Sequence, residues 1–260
     1  MPASYTHYYF AREVFANLKD PNIQKIIEKY PDLYFIGCHG PDINFFYRPY
    51  KDNKIIDQAY AIHDAPGFQF FEQAIKTANQ SPNREASWSY LLGFLTHFIL
   101  DSNCHPYINN VIEPQTNEFH STIESQYDRR FILKDKLNPM TTHIRDHIVI
   151  SRFNSKIIAP FFRLKPEIIM SSLRGFKFFD GFFVTSCKLR RKISSFFLVK
   201  MKMESHTGLF MLDQPEKTNL SAHLDHLDTL YNTSLLESNQ LLTDFFYKQE
   251  LTDRYDRNFE

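Results

Sequence analysis

Apolar residues recur every three to four positions along most of the chain, and no segment alternates strictly enough to demand a β-strand. Trp88, Leu91, Leu92, Leu95 and Phe98 mark the clearest case. They predict a helix over 83–105, ended by Pro106, whose ring disfavours helical backbone in the residue before it. The same spacing predicts helices over 5–18, 21–30, 66–78, 114–131, 139–151, 166–174, 178–203 and 216–248. Leu33-Tyr34-Phe35-Ile36 closes on Gly37 as a helix C-terminus does. Gly40-Pro41-Asp42 reads as a turn or loop, and the polar stretch 48–64 as mostly loop. The expectation is an all-α, single-domain, multi-helix bundle over residues 1–260.

Composition narrows this picture. Only 7 glycines stand among 260 residues, too few for the turns of a large sandwich or barrel. No run of about 18 apolar residues occurs, so a soluble protein without a membrane-spanning helix is expected. Lys+Arg and Asp+Glu balance at 30 each, which supplies no global field towards nucleic acid or anionic membrane. A local exception is Lys188-Leu189-Arg190-Arg191-Lys192, followed by Phe196-Phe197; it reads as a lipid-surface contact or as a solvated helix face with Phe turned inward. Cys38, Cys104 and Cys187 are too few and too scattered for a disulfide framework. Residues 1–7 lack a secretory pattern, so a cytoplasmic location is expected, unconventional export aside.

Histidine changes the picture most, with 11 copies, many beside acids at helical spacing. His97, Asp101 and His105 lie one turn apart on one helix face. His97 and His105 are about 12 Å apart along the axis, awkward for one ion, so Asp101 between them suggests two or more metals with a bridge. His120 and Glu124 repeat the i, i+4 pairing on the next helix, and antiparallel neighbours can bring two such faces together. Two further groups, His143-Ile144-Arg145-Asp146-His147 and His223-Leu224-Asp225-His226, have chelating spacing but read as helix surface. Cys104 reads as a small buried apolar residue.

The ordered set His7, Gly40-Pro41-Asp42, His63, His97-x3-Asp101, His105 and His120-x3-Glu124 resembles the zinc-dependent phospholipase C family, relatives of the single-strand-specific zinc nucleases. The matching residues fall within 1–124. The resemblance implies three Zn²⁺ ions. Asp42, His63, His97 and Asp101 would hold the first, and His105, His120 and Glu124 the second. Asp101 and His7 would hold the third, completed by the backbone of the mature first residue, here Pro2 if Met1 is removed. His105 follows Asp101 more closely than in the family, which a short deletion explains; the family's usual leading Trp is here Pro.

The implied function is phosphodiester hydrolysis, phospholipase C-like, by metal-activated water, with Asp42 orienting or deprotonating that water. Tyr5, Tyr8, Phe45, Phe46 and Tyr47 could line the rim or belong to the core. The expected partner is a phospholipid or other phosphodiester, with transient membrane-surface contact. A nuclease or 3′-nucleotidase activity and a non-catalytic, metal-stabilised binding module are the alternatives.

Overall fold

The computed structural model describes residues 4–200 and 217–260. No β-strand occurs among them, and the fold is all-α. The helices are α1 (Ser4–Asn17), α2 (Pro21–Lys29), α3 (Pro31–Gly37), α4 (Lys54–Asp64), α5 (Gly67–Gln80), α6 (Arg84–Tyr107), α7 (Glu113–Thr116), α8 (His120–Lys134), α9 (Arg152–Ile158), α10 (Pro166–Phe183), α11 (Lys188–Lys200) and α12 (Ser221–Tyr247). None of the described helices is long and apolar enough to cross a membrane.

The axis of the fold is α6. Nearly every residue from Ala86 to His105 is buried, so this helix is wrapped on all sides rather than laid on a surface. It packs against α3, α12, α5 and α1. The tightest crossing is with α3 and depends on two glycines. A Cβ at Gly93 would stand 2.0 Å from the Tyr34 carbonyl oxygen, and one at Gly37 would stand 2.2 Å from that of Tyr90. The backbones can approach this closely only because neither position carries a side chain.

Four expectations need correction. Gly40-Pro41-Asp42 is not an open turn but the start of a buried 3-10 segment, Gly40–Phe46. Residues 54–64 form a helix rather than a loop. The Asn53 side chain accepts from the amides of Ile55 and Ile56 and so starts α4. The helix does not stop before Pro106 but runs on to Tyr107. A proline ring removes a ladder hydrogen bond and crowds the preceding turn. Here the chain loosens into one π-helical stretch, Ile108–Ile112, which joins α7. Residues 139–147 form turns, not a helix, because tertiary partners take their backbone. The Ile144 amide and His143 both reach the Asp180 carboxylate on α10.

Smaller differences follow local chemistry. The segment predicted over 114–131 is broken at Asn117, which adopts φ +54° and ends α7. The one predicted over 178–203 is split between α10 and α11, and its last three residues lie outside the described ones. On α11, Phe196 is 63 % exposed, so at this position the aromatic is not turned inward.

Gly93→Ala tests the α3–α6 crossing. A methyl group against backbone cannot be relieved by rotating a side chain, so the substitution should cost about 1–3 kcal/mol despite alanine's better helix propensity. Denaturant unfolding measures this; wild-type stability in Gly93→Ala would refute the crossing.

Candidate metal centre

Five elements deliver the eight residues to one buried place. His7 comes from α1, Asp42 from the 3-10 segment, and His63 from the last turn of α4. His97, Asp101 and His105 come from α6, and His120 and Glu124 from α8. All are buried except His120, whose side chain is 30 % exposed. Gly40 makes room for this convergence. Its φ is +52°, and a Cβ there would fall 2.3 Å from Cδ2 of His97.

Two clusters share the α6 face. In the first, Nε2 of His63 lies 3.0 Å from Oδ1 of Asp42, and Nε2 of His97 lies 2.9 Å from Oδ2 of Asp101. Nε2 of His7 lies 3.0 Å from the other Asp101 oxygen. In the second, Oε1 of Glu124 lies 3.2 Å from Nε2 of His105 and 3.1 Å from Nε2 of His120. Nε2 of His105 is also 3.6 Å from Asp101, so the carboxylate of Asp101 stands between the two clusters. The shortened spacing before His105 still works, because four residues are one helical turn. Pro2 lies outside the described residues.

The donor set fits divalent metal. The Nδ1–H of His63 donates to the Ala59 carbonyl at 2.8 Å, that of His105 to the Phe259 carbonyl at 2.7 Å, and that of His120 to Glu113 at 2.8 Å. Each bond fixes the tautomer that leaves a lone pair on Nε2. These lone pairs face carboxylate oxygens, an opposition that requires a cation between them or a proton on the imidazole. Moreover, both oxygens of Asp42, Oδ2 of Asp101 and Oε2 of Glu124 are buried without a hydrogen-bond partner, as are both nitrogens of His97. Three buried carboxylates with orphaned oxygens are costly unless charge compensates them. Borderline nitrogen and oxygen donors of this kind suit zinc.

The protonation tendencies of the cluster show how strongly its carboxylates draw positive charge. Burial pushes the Asp101 carboxyl up, but His105, His97 and His7 more than reverse this and hold it well below the usual range. Glu124 behaves alike, with His120 the leading opposing charge. Burial opposes charge on His7, His63, His105 and His120, yet neighbouring carboxylates raise all four. His97 is lowered, burial being the largest cause.

Three supporting residues had little local signal. Asp128 on α8 accepts from the amides of Tyr5 and Thr6 and from the Thr6 hydroxyl. It thus caps the start of α1 from a distance and sets the position of His7. Phe259 is fully buried, and its ring lies 5.7 Å from that of His63 and 5.9 Å from that of His97. Its amide donates to the His63 carbonyl, while its own carbonyl receives His105. Glu113 orients His120. Asn53 alone had a legible signal, as an N-cap before Ile55, Ala59 and His63 at helical spacing. Of the proposed rim, Tyr5, Phe45 and Phe46 are buried, and Tyr8 stacks on His147 at 3.9 Å.

A buried cluster of histidines and carboxylates inside a helical bundle is a candidate metal site on an all-α scaffold. The model of zinc dependent phospholipase C matches residues 6–170. The chain belongs to the zinc-dependent phospholipase C family, a family of hydrolases. No curated protein and no solved structure matches it significantly. The matched region contains all eight residues but not Phe259.

Removing residues 259 and 260 should therefore weaken zinc binding by about 10–100-fold, the usual range for losing an outer-shell partner. Competition with a chromogenic chelator measures it, and Phe259→Ala, which keeps the carbonyl, should lose less. Equal losses in both would show that the ring, not the bond to His105, supports the site.

Proposed function

We propose that the protein is a phospholipase C-like phosphodiesterase in which the eight residues hold zinc ions, three if the Pro2 backbone completes the set with His7 and Asp101. The observation that carries this reading is the convergence of orphaned carboxylate oxygens and oriented Nε2 lone pairs in a matched family domain. When bound, zinc supplies Lewis-acid activation of water and of the phosphoryl oxygens and neutralises the phosphate charge.

The side chains divide the remaining work. Asp101 and Glu124 supply the negative charge that retains cations, and the Nδ1 bonds of His63, His105 and His120 keep their rings aimed. Asp42 sits where the 3-10 segment meets α4 and α6, with both oxygens orphaned. It orients the attacking water and holds its proton at a carboxylate oxygen. The enclosing Phe45, Phe94 and Phe259 rings, against His63 or His97, keep bulk water away and strengthen each electrostatic contact.

The outer surface favours a lipid over a polyanion. Phe178 is 63 % and Leu189 67 % exposed, on helices that also carry Ile193 and Phe196 outward. Lys188 and Lys192 stand beside them on α11. Exposed apolar side chains among cations are the composition of a membrane-surface contact, whereas a balanced net charge offers no long-range attraction to nucleic acid.

Side-by-side assays of phosphatidylcholine, single-stranded DNA and nucleoside 3′-monophosphates decide the substrate. Phosphatidylcholine should be hydrolysed, and Asp42→Asn should lower kcat by about 10²-fold or more. Turnover of the nucleotides alone would replace the lipid reading, and no turnover by zinc-replete protein would end both. Asp101→Asn should lose two or more zinc ions per chain by elemental analysis, since one carboxylate serves both clusters. Phe178→Glu with Leu189→Glu should reduce hydrolysis of vesicles about tenfold while leaving a monomeric short-chain substrate unaffected. An equal effect on both substrates would remove the surface from the proposal.

A further inference from the structure

A second group of ligand-type side chains lies outside the eight. Cys38 and His39, between α3 and the 3-10 segment, meet His147 from the turns after α8. One potential ligand atom from each lies within 4.8 Å of the others. Nε2 of His39 and Nε2 of His147 are only 2.6 Å apart. That is shorter than an ordinary hydrogen bond from an N–H donor, about 2.7–3.2 Å. Two imidazoles facing each other through the same atoms can place at most one proton between them. His39 is buried, and its Nδ1 has no partner, so one hydrogen bond does not satisfy the pair.

The surroundings hold the two imidazoles in place, while burial pushes the Cys38 thiol well above its ordinary range, so an ion must displace its proton. The His147 ring is clamped face to face on Tyr8, with 6° between the planes, and His39 packs at 5.3 Å on Phe176. Burial, with Lys177 adding to it, lowers His147 to about 3. Burial, helped by His147, lowers His39 well below its ordinary range. In its neutral form each imidazole carries one nitrogen lone pair that a cation can take. Cys38 is buried, with its Sγ donating to the Phe35 carbonyl at 3.0 Å. Of the three, only His147 is partly exposed.

We propose that Cys38, His39 and His147 form a separate mononuclear zinc site, distinct from the eight-residue cluster. Sulfur and two imidazole nitrogens are a borderline-soft set that selects zinc over magnesium or calcium. Binding replaces the Cys38 S–H bond with an S–Zn bond and releases that proton to solvent. It also ends the donation to Phe35, freeing Sγ to turn towards the two rings. The site ties α3 to the 139–147 turns.

Cobalt substitution in the untagged full-length protein tests this, because the eight-residue cluster contains no cysteine. Cobalt-loaded wild type should show a thiolate-to-cobalt charge-transfer band in the near ultraviolet. Cys38→Ser should abolish it, whereas Cys104→Ser should leave it intact. Elemental analysis should find about one zinc ion fewer per chain in Cys38→Ser and in His147→Gln than in wild type. His147→Gln serves if the buried serine variant does not fold. Absence of the band in fully loaded wild type, its survival in Cys38→Ser, or an unchanged zinc content in His147→Gln overturns the proposal. None of these readouts depends on hydrolytic activity, so failure here leaves the phosphodiesterase reading untouched.

Discussion

Three carboxylates and five imidazoles packed around one buried helix face are the constraint on which this structure depends. Without compensating cations such a group would be among the costliest features of the core. With them it becomes a cross-link joining α1, the 3-10 segment, α4, α6 and α8. The burial of α6 on all sides serves this arrangement. It shields the donor side chains from bulk water and restricts their rotamers by packing.

The eight candidate residues are held by a second layer drawn from all over the chain. Ala59 and Glu113 are near neighbours of the histidines they orient, but Phe259 reaches His105 from the far end of the sequence. Its segment is anchored by Arg254, which bonds Ser102 and Glu237, and by Arg257, which bonds Asn103. Residues 254–259 thus behave as a strap across α6. Tightness at Gly37, Gly40 and Gly93 has the same purpose, since each allows backbone or ring to approach where a methyl group could not fit.

Much of this was legible beforehand. Helical periodicity and scarce glycine gave the all-α class, and the paired His-x3-acid spacings placed ligands on common faces of α6 and α8. What misled was local breaker chemistry. Pro106 signals a stop, yet a chain packed on both sides of the break is held helical through a π-helical stretch. The polar composition of 48–64 hid α4, although Asn53 and the spacing of Ile55, Ala59 and His63 announce it. The i, i+4 spacing of His143 and His147 suggests a shared helix surface. In the fold they separate, His143 to Asp180 and His147 to His39, because tertiary hydrogen bonds claim the backbone between them.

The sequence by itself determined most of the helices and the identity of the metal-type donors, because both are written in short-range spacing: one turn of helix repeats every few residues. Only the tertiary structure decided which donors meet, which nitrogen each imidazole presents, and that Cys38, His39 and His147 gather apart from the rest. Those outcomes depend on contacts between residues tens to hundreds of positions apart, and no local period encodes them.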